Sequence, residues 1–138
     1  MERAMIPRYR AYDSGSLCHM YGPEEVWICD GDIWVIDEDS WDDELILNND
    51  LNLMQSTGLF DKNDREIFEG DIIKVTNLSN CSWLEVVSFN EDKAMFVSKE
   101  TKRELEESPL YDLFNTDIFE VEIVGNIYTN PKLAEVRS

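Results

Sequence analysis

Short apolar runs broken by Gly, Asn and Asp corners recur along the chain, and their spacing is that of strands rather than helices. Residues 118–124 alternate cleanly: Phe119, Val121 and Ile123 point one way, Glu120 and Glu122 the other, which predicts a strand with one buried face. Residues 25–32 and 33–36 carry Val26, Trp27, Ile28, Ile33, Trp34, Val35 and Ile36 around Asp30-Gly31. Asp-Gly between two such runs signals a hairpin, because both central residues of the tight turn must tolerate positive φ. Ile72-Ile73-Lys74-Val75, behind Gly70, reads as a β-branched strand. A second hairpin is predicted from 84–90 and 93–98 across Glu91-Asp92, built on Val86, Val87, Phe89, Met95, Phe96 and Val97. Residues 5–12 alternate loosely around Pro7, whose missing N–H confines an opening strand to an edge or to the residues after it.

Elsewhere the period changes. Asp39 or Ser40 is placed to cap a brief helical turn running to Leu47, ended by Asn48-Asn49-Asp50. Leu51, Leu53 and Gln55 then fall on one side of a strand and Asn52, Met54 and Ser56 on the other, with Thr57-Gly58 turning the chain and 61–64 making a hairpin bend. Glu69-Gly70-Asp71 forms the next corner. Ser108-Pro109 reads as a helix cap followed by proline at the first helical position, which predicts a short helix over 109–115. Gly125-Asn126 marks a bulge or turn, Ile127-Tyr128 resumes the strand, and Asn130-Pro131 starts a terminal helical turn through Val136. The tally is about seven short strands with one or two short helices, and no long crossovers of the kind a parallel sheet needs. The predicted fold class is therefore mainly β: a compact antiparallel, partly open barrel, SH3-like in character. Acidic N-terminal β-hairpins over 1–50 lie beside a barrel-like region over 51–138, within the single domain that 138 residues suit.

The tract Leu53-Met54-Gln55-Ser56-Thr57-Gly58-Leu59, then Asp61-Lys62-Asn63, then Ile67-Phe68-Glu69-Gly70-Asp71-Ile72-Ile73 resembles the signature of the YopX family, small proteins encoded mainly by phages and prophages and without an assigned molecular role. Tyr9-Arg10-Ala11-Tyr12-Asp13 is similar to the family's opening strand, and 124–133, beginning Val124-Gly125-Asn126, to its closing block. The blocks fall in the family's order and bracket nearly the whole chain. Tyr12 stands where the family more often has Trp, and Asp64 where it usually has Gly. Asp64 is expected to take the left-handed conformation at modest cost, since Asn and Asp visit that region more readily than other non-glycine residues. The resemblance implies a phage or prophage accessory protein acting in the host bacterial cytoplasm.

Charge narrows the partners. Thirty Asp and Glu face twelve Lys and Arg, a formal net charge of -18, and no Lys or Arg occurs between Ala11 and Asp61. Such a surface repels phosphate, so direct nucleic-acid binding and an anionic membrane are disfavoured. The acids are read either as a solvated surface that keeps the protein soluble, or as a phosphate mimic facing a host DNA-binding protein. Fifteen aromatics argue for a packed core rather than disorder. Cys18, Cys29 and Cys81 show no C-x-x-C spacing, so neither a disulfide framework nor a thiolate zinc site is expected; free thiols and the lack of a cationic leader fit the cytosol.

Familiar catalytic frames are missing. His19 is the only histidine and reads as a surface residue; H-E-x-x-H, the phosphate-binding glycine loop and Gly-x-Gly-x-x-Gly are absent. Asp30, Asp32, Asp37, Asp39, Asp42 and Asp43 offer many oxygens, yet an EF-hand frame begun at Asp37 has Asp42 in place of its glycine and Asn48 in place of its glutamate. No cofactor, metal site or catalytic residue is assigned. The expectation is a non-enzymatic module for contact with a host or phage protein, its rivals being the acidic DNA mimic and a carboxylate-based metal-dependent hydrolase. Trp27, Trp34 and Trp41, with Trp83, exceed what a small core requires, so one or two are expected at an interface or a self-association face, against the alternative that all four are core. Gln55, Thr57, Asp61, Asn63, Glu69, Asp71 and Asn126 either line a recognition surface or satisfy loose backbone groups at turns.

Overall fold

The computed structural model describes residues 7–15, 18–37, 39, 41–102 and 106–134. It is mainly β and antiparallel, and the chain divides into two compact units, residues 1–56 and 57–138, each with its own core.

In the first unit, β1 (Tyr9–Asp13) starts just beyond Pro7, and residues 5 and 6 of the predicted opening strand lie outside the described residues. It pairs with β2 (His19–Tyr21) on one side and, on the other, with the first half of β6 (Asn52–Phe60). β3 (Val26–Cys29), β4 (Asp32–Ile36) and β5 (Leu45–Leu47) form a second sheet in that order. Asp30 and Gly31 both have positive φ, 51° and 81°, so the Asp-Gly hairpin forms as its chemistry predicts. Ala11, Tyr21, Val26, Val35 and Leu51 make the core of this unit.

The helical turn expected to end at Leu47 is instead the strand β5. Asp37 N–H donates to Glu44 C=O at 2.7 Å and Asn48 N–H to Ile33 C=O at 2.9 Å, and Leu45, Ile46 and Leu47 sit opposite Ile36, Val35 and Trp34. A single helical turn is marginal alone, whereas this ladder joins an existing hairpin. Of the two expected caps, Asp39 donates its N–H to Asp37 Oδ1, and Ser40 lies outside the described residues.

In the second unit, the later half of β6 runs into a hairpin with β7 (Glu66–Phe68). A five-stranded sheet follows, β8 (Asp71–Thr76), β9 (Ser82–Asn90), β10 (Met95–Glu100), β11 (Ser108–Pro109) and β12 (Glu120–Asn126), in the order β11-β10-β9-β8-β12 and curled into a half barrel. Its core gathers Ile67, Ile73, Val75, Val87, Leu110 and Val121, with Phe119 and Ile123 of the predicted apolar face packed beside them.

Several local expectations change. Thr57-Gly58 does not turn the chain; β6 runs through Gly58 at φ 77°. Met54 and Thr57 are both buried at an odd spacing, so the side that β6 buries changes between them, ahead of Gly58. The helix expected over 109–115 is one 3₁₀ turn, Leu110–Leu113, without a side-chain cap, because Ser108 and Pro109 are drawn into pairing with Ser98 and Val97. Ile127 and Tyr128 lie in a turn rather than a strand, since Asn126 Oδ1 accepts the N–H groups of Tyr128 and Thr129 at 3.0 and 2.9 Å. The terminal turn is 3₁₀ over Pro131–Ala134, with 135–138 outside the described residues. Gly125 does mark a bulge, where the β8–β12 register shifts. Twelve strand segments are present among the described residues; the excess over about seven is largely two- and three-residue pieces, too short to show a period.

Candidate interaction surface

The signature side chains are mostly spent on backbone. Thr57 Oγ1 donates to Ile67 C=O at 2.8 Å and accepts from Leu59 N–H at 3.1 Å. The Asp61 side chain is fully buried: Oδ1 accepts the N–H groups of Asn63 and Arg65, and Oδ2 that of Ile123, each at 2.9 Å. It thus closes its own hairpin and ties that hairpin to β12. Burial alone would push this carboxyl up, but the three backbone donors from Ile123, Arg65 and Asn63, with the Arg65 guanidinium, together hold it below the usual carboxylate range. Asp64 completes the bend at φ 60°, the conformation expected of it. Asp71, 1% exposed, accepts Phe68 N–H on Oδ2 at 2.8 Å across the corner whose Gly70 has φ 85°. Asn126 pairs with Asp71 between β12 and β8 and holds the following turn.

In the second unit Asp71 and Asn126 are brought together across the β8–β12 ladder, and Asp61 is tied to β12 at Ile123. Asn63 is exposed at the hairpin tip, Glu69 is half-buried at its corner, and Gln55 lies opposite Tyr9 in the first unit. Asp61, Asn63, Glu69, Asp71 and Asn126 lie at or beside corners where the chain leaves a ladder, where backbone groups need side-chain partners, whereas Gln55 and Thr57 lie inside β6.

An exposed apolar surface forms elsewhere, on the β3-β4-β5 sheet. Residues directly opposite in an antiparallel ladder share a face. Val26, Val35 and Ile46 occupy one face, and Val26 and Val35 are buried in the core of the first unit. Trp27, Trp34 and Leu47 form a row on the other face, next to Ile36 opposite Leu45. On that outer face Trp27 is 44%, Leu45 46% and Leu47 51% exposed, with Trp34 and Ile36 half-buried. A strand apolar on both sides is the pattern of a sheet covered on both faces. Trp41 is fully exposed in the acidic segment between β4 and β5, where Asp39, Asp42, Asp43 and Glu44 are also exposed. Trp83 differs: it packs on the second core, edge-on to Phe119, and donates Nε1–H to the buried Glu85, whose other oxygen accepts from Ser98.

Leu45, Ile46 and Leu47 join this sheet although their local sequence suits a helical turn. The available signal was the unbroken apolar run Ile33–Ile36, which does not alternate and so needs apolar company on both faces. His19 is half-buried and edge-on to Tyr21 at 4.6 Å, rather than a surface residue. All three cysteines are exposed free thiols. In the second unit a cleft of about 600 Å³ is lined by Lys74, Trp83, Glu100 and Lys102 beside Cys81, and Asn77 Oδ1 there accepts the N–H groups of Ser79 and Cys81. Among the described residues, no three His, Cys, Asp or Glu side chains are grouped to hold a metal ion, and no helix is long and apolar enough to cross a membrane.

Solved structures that share this architecture include two bacterial proteins. Protein yopX from Bacillus subtilis is 18% identical, with 93% of this chain and 98% of that one covered at a TM-score of 0.62. Protein EF1440 from Enterococcus faecalis is 23% identical, with 96% and 100% covered at 0.59. No curated protein matches the chain significantly. The family model described as YopX protein matches residues 8–135, which takes in the opening strand, the hairpin locked by Asp61, the Gly70 corner and the Gly125 bulge; the chain belongs to the YopX family.

Proposed function

We propose that the protein is a non-enzymatic phage or prophage accessory protein that works in the host cytoplasm by protein-protein contact, with the outer face of the β3-β4-β5 sheet as its contact surface. The observation that carries this reading is the row Trp27, Trp34 and Leu47, with Ile36 and Leu45 beside it, in which Trp27, Leu45 and Leu47 are exposed, on a sheet whose opposite face sends Val26 and Val35 into the core. Aromatic side chains are enriched at the centres of protein interfaces, and contiguous exposed apolar patches on soluble proteins mark contact sites. A pure phosphate mimic would need carboxylates across the contact face; here apolar side chains hold the face and acids crowd the segment leading into β5.

The test is capture from host cells by the tagged wild-type chain and by Trp27→Ser/Leu47→Ser. A protein retained by the wild type and lost by the double variant, with both folded by circular dichroism, is the expected result. Equal recovery by the two chains removes this face as the contact.

A further inference from the structure

We infer that the open edge of β5 takes an extended segment of a partner protein as a fourth strand of the β3-β4-β5 sheet, and that this segment carries apolar residues at alternate positions flanked by Lys or Arg. The inference rests on the contact-face reading above and specifies how the contact is made. The bond pattern of the sheet fixes which groups are offered. Ile36 N–H donates to Glu25 C=O, while Asp37 N–H donates to Glu44 C=O and Asn48 N–H to Ile33 C=O. In an antiparallel ladder such bonded pairs recur every second residue. Glu44, Ile46 and Asn48 therefore direct their backbone groups to β4, and Leu45 and Leu47 direct theirs away from it. Among the described residues no strand pairs with that side of β5.

The edge is protected only by its three-residue length and by the acids that flank it. Leu45–Leu47 contains no Lys, no Pro and no bulge, and all three side chains are exposed. A residue bonded opposite Leu47 would place its side chain on the same face as Leu47, extending the row from Trp27 through Trp34. Apolar residues at alternate positions of the partner continue that row.

Charge selects the partner. Asp42, Asp43 and Glu44 lead into the strand and Asp50 follows it, all exposed, and residues 1–56 hold thirteen Asp and Glu against three Arg. A second copy pairing antiparallel about Ile46 would bring its own acids to both ends of the joint strand. A segment with flanking cations meets them with opposite charge.

The probe is the peptide acetyl-Lys-Lys-Val-Thr-Val-Thr-Val-Lys-Lys-amide against the same peptide N-methylated at its valines, which keeps charge and side chains but removes the pairing donors. Titrated into the whole chain at fixed ionic strength, the unmethylated peptide is expected to bind about tenfold tighter or better. Leu47→Pro deletes one outward N–H and should lose that preference, and Leu47→Val should keep it. Should Leu47→Pro fail to fold, slowed hydrogen exchange at the Leu45 and Leu47 amides on adding the unmethylated peptide decides. Equal affinity for the two peptides, or no change in exchange at those amides, overturns strand addition. If affinity is equal but Trp27→Ser/Leu47→Ser loses the captured partner, the contact-face reading survives alone; if that variant also retains the partner, both fall. Light scattering that shows a stable dimer which the peptide does not dissociate assigns the edge to a second copy and overturns the inference.

Discussion

Replacing Asp61 with Ala should be among the most damaging single changes in the second unit, although the position lies on a hairpin. Its buried carboxylate receives three backbone N–H groups, and they do not count equally. Asn63 and Arg65 lie at an exposed tip where water can replace the carboxylate, so each loses only a few tenths of a kcal/mol. Ile123 N–H is partly buried in β12 and would lose a charged acceptor, a loss of about 2 kcal/mol. The sum is about 3 kcal/mol, which for a unit of this size lowers the melting temperature by roughly 10–20 °C. The pH dependence follows from the same contacts. A carboxyl held below its ordinary value when folded contributes fully above the unfolded pKa near about 3.9, and that contribution is lost as pH falls through the folded value. Thermal denaturation at pH 7 and in steps below about pH 4 should therefore show the gap between wild type and Asp61→Ala at its widest at pH 7 and shrinking on acidification. Comparing the two proteins cancels the general effect of titrating a chain with net charge -18. A gap at pH 7 under about 0.5 kcal/mol, or one that widens as pH falls, would refute this account of the corner.

Asp71→Ala removes the acceptor of the buried Phe68 N–H and should cost about 1–3 kcal/mol in urea denaturation, with an unchanged midpoint pointing to a surface role instead. Gly125→Ala would set a Cβ 2.5 Å from Asn130 Oδ1, so it should cost about 1–2 kcal/mol alone and distinctly less in an Asn130→Ala background; strict additivity would show that the clash is not the cause.

Local chemistry explains where the sequence could be read. Asp30-Gly31, the 61–64 bend, Gly70 and Gly125 each require a residue type at a set place, and each corner forms as that requirement dictates. The alternation of Phe119, Val121 and Ile123 likewise becomes one packed face. Reading fails where a distant partner decides. Leu45-Ile46-Leu47 after a run of acids suits a capped turn as well as a strand, and the ladder to β4 settles it. Ser108-Pro109 has the chemistry of a helix start, yet β10 draws it into a bridge. Asp61, Asp71 and Asn126 are legible as corner residues, whereas Thr57-Gly58 is not a corner, and the outer face of β3-β4-β5 depends on knowing which side of Trp27 and Trp34 the first core covers, which periodicity alone does not say.

The division of labour between corners and outer face is tested most directly by measuring folding and partner capture side by side in two variants. Asp61→Asn should melt well below the wild type yet still capture the partner at a temperature where it is folded, and Trp27→Ser/Leu47→Ser should melt near the wild type and capture nothing. The reverse pattern, capture lost with Asp61 and kept without Trp27 and Leu47, would contradict the account.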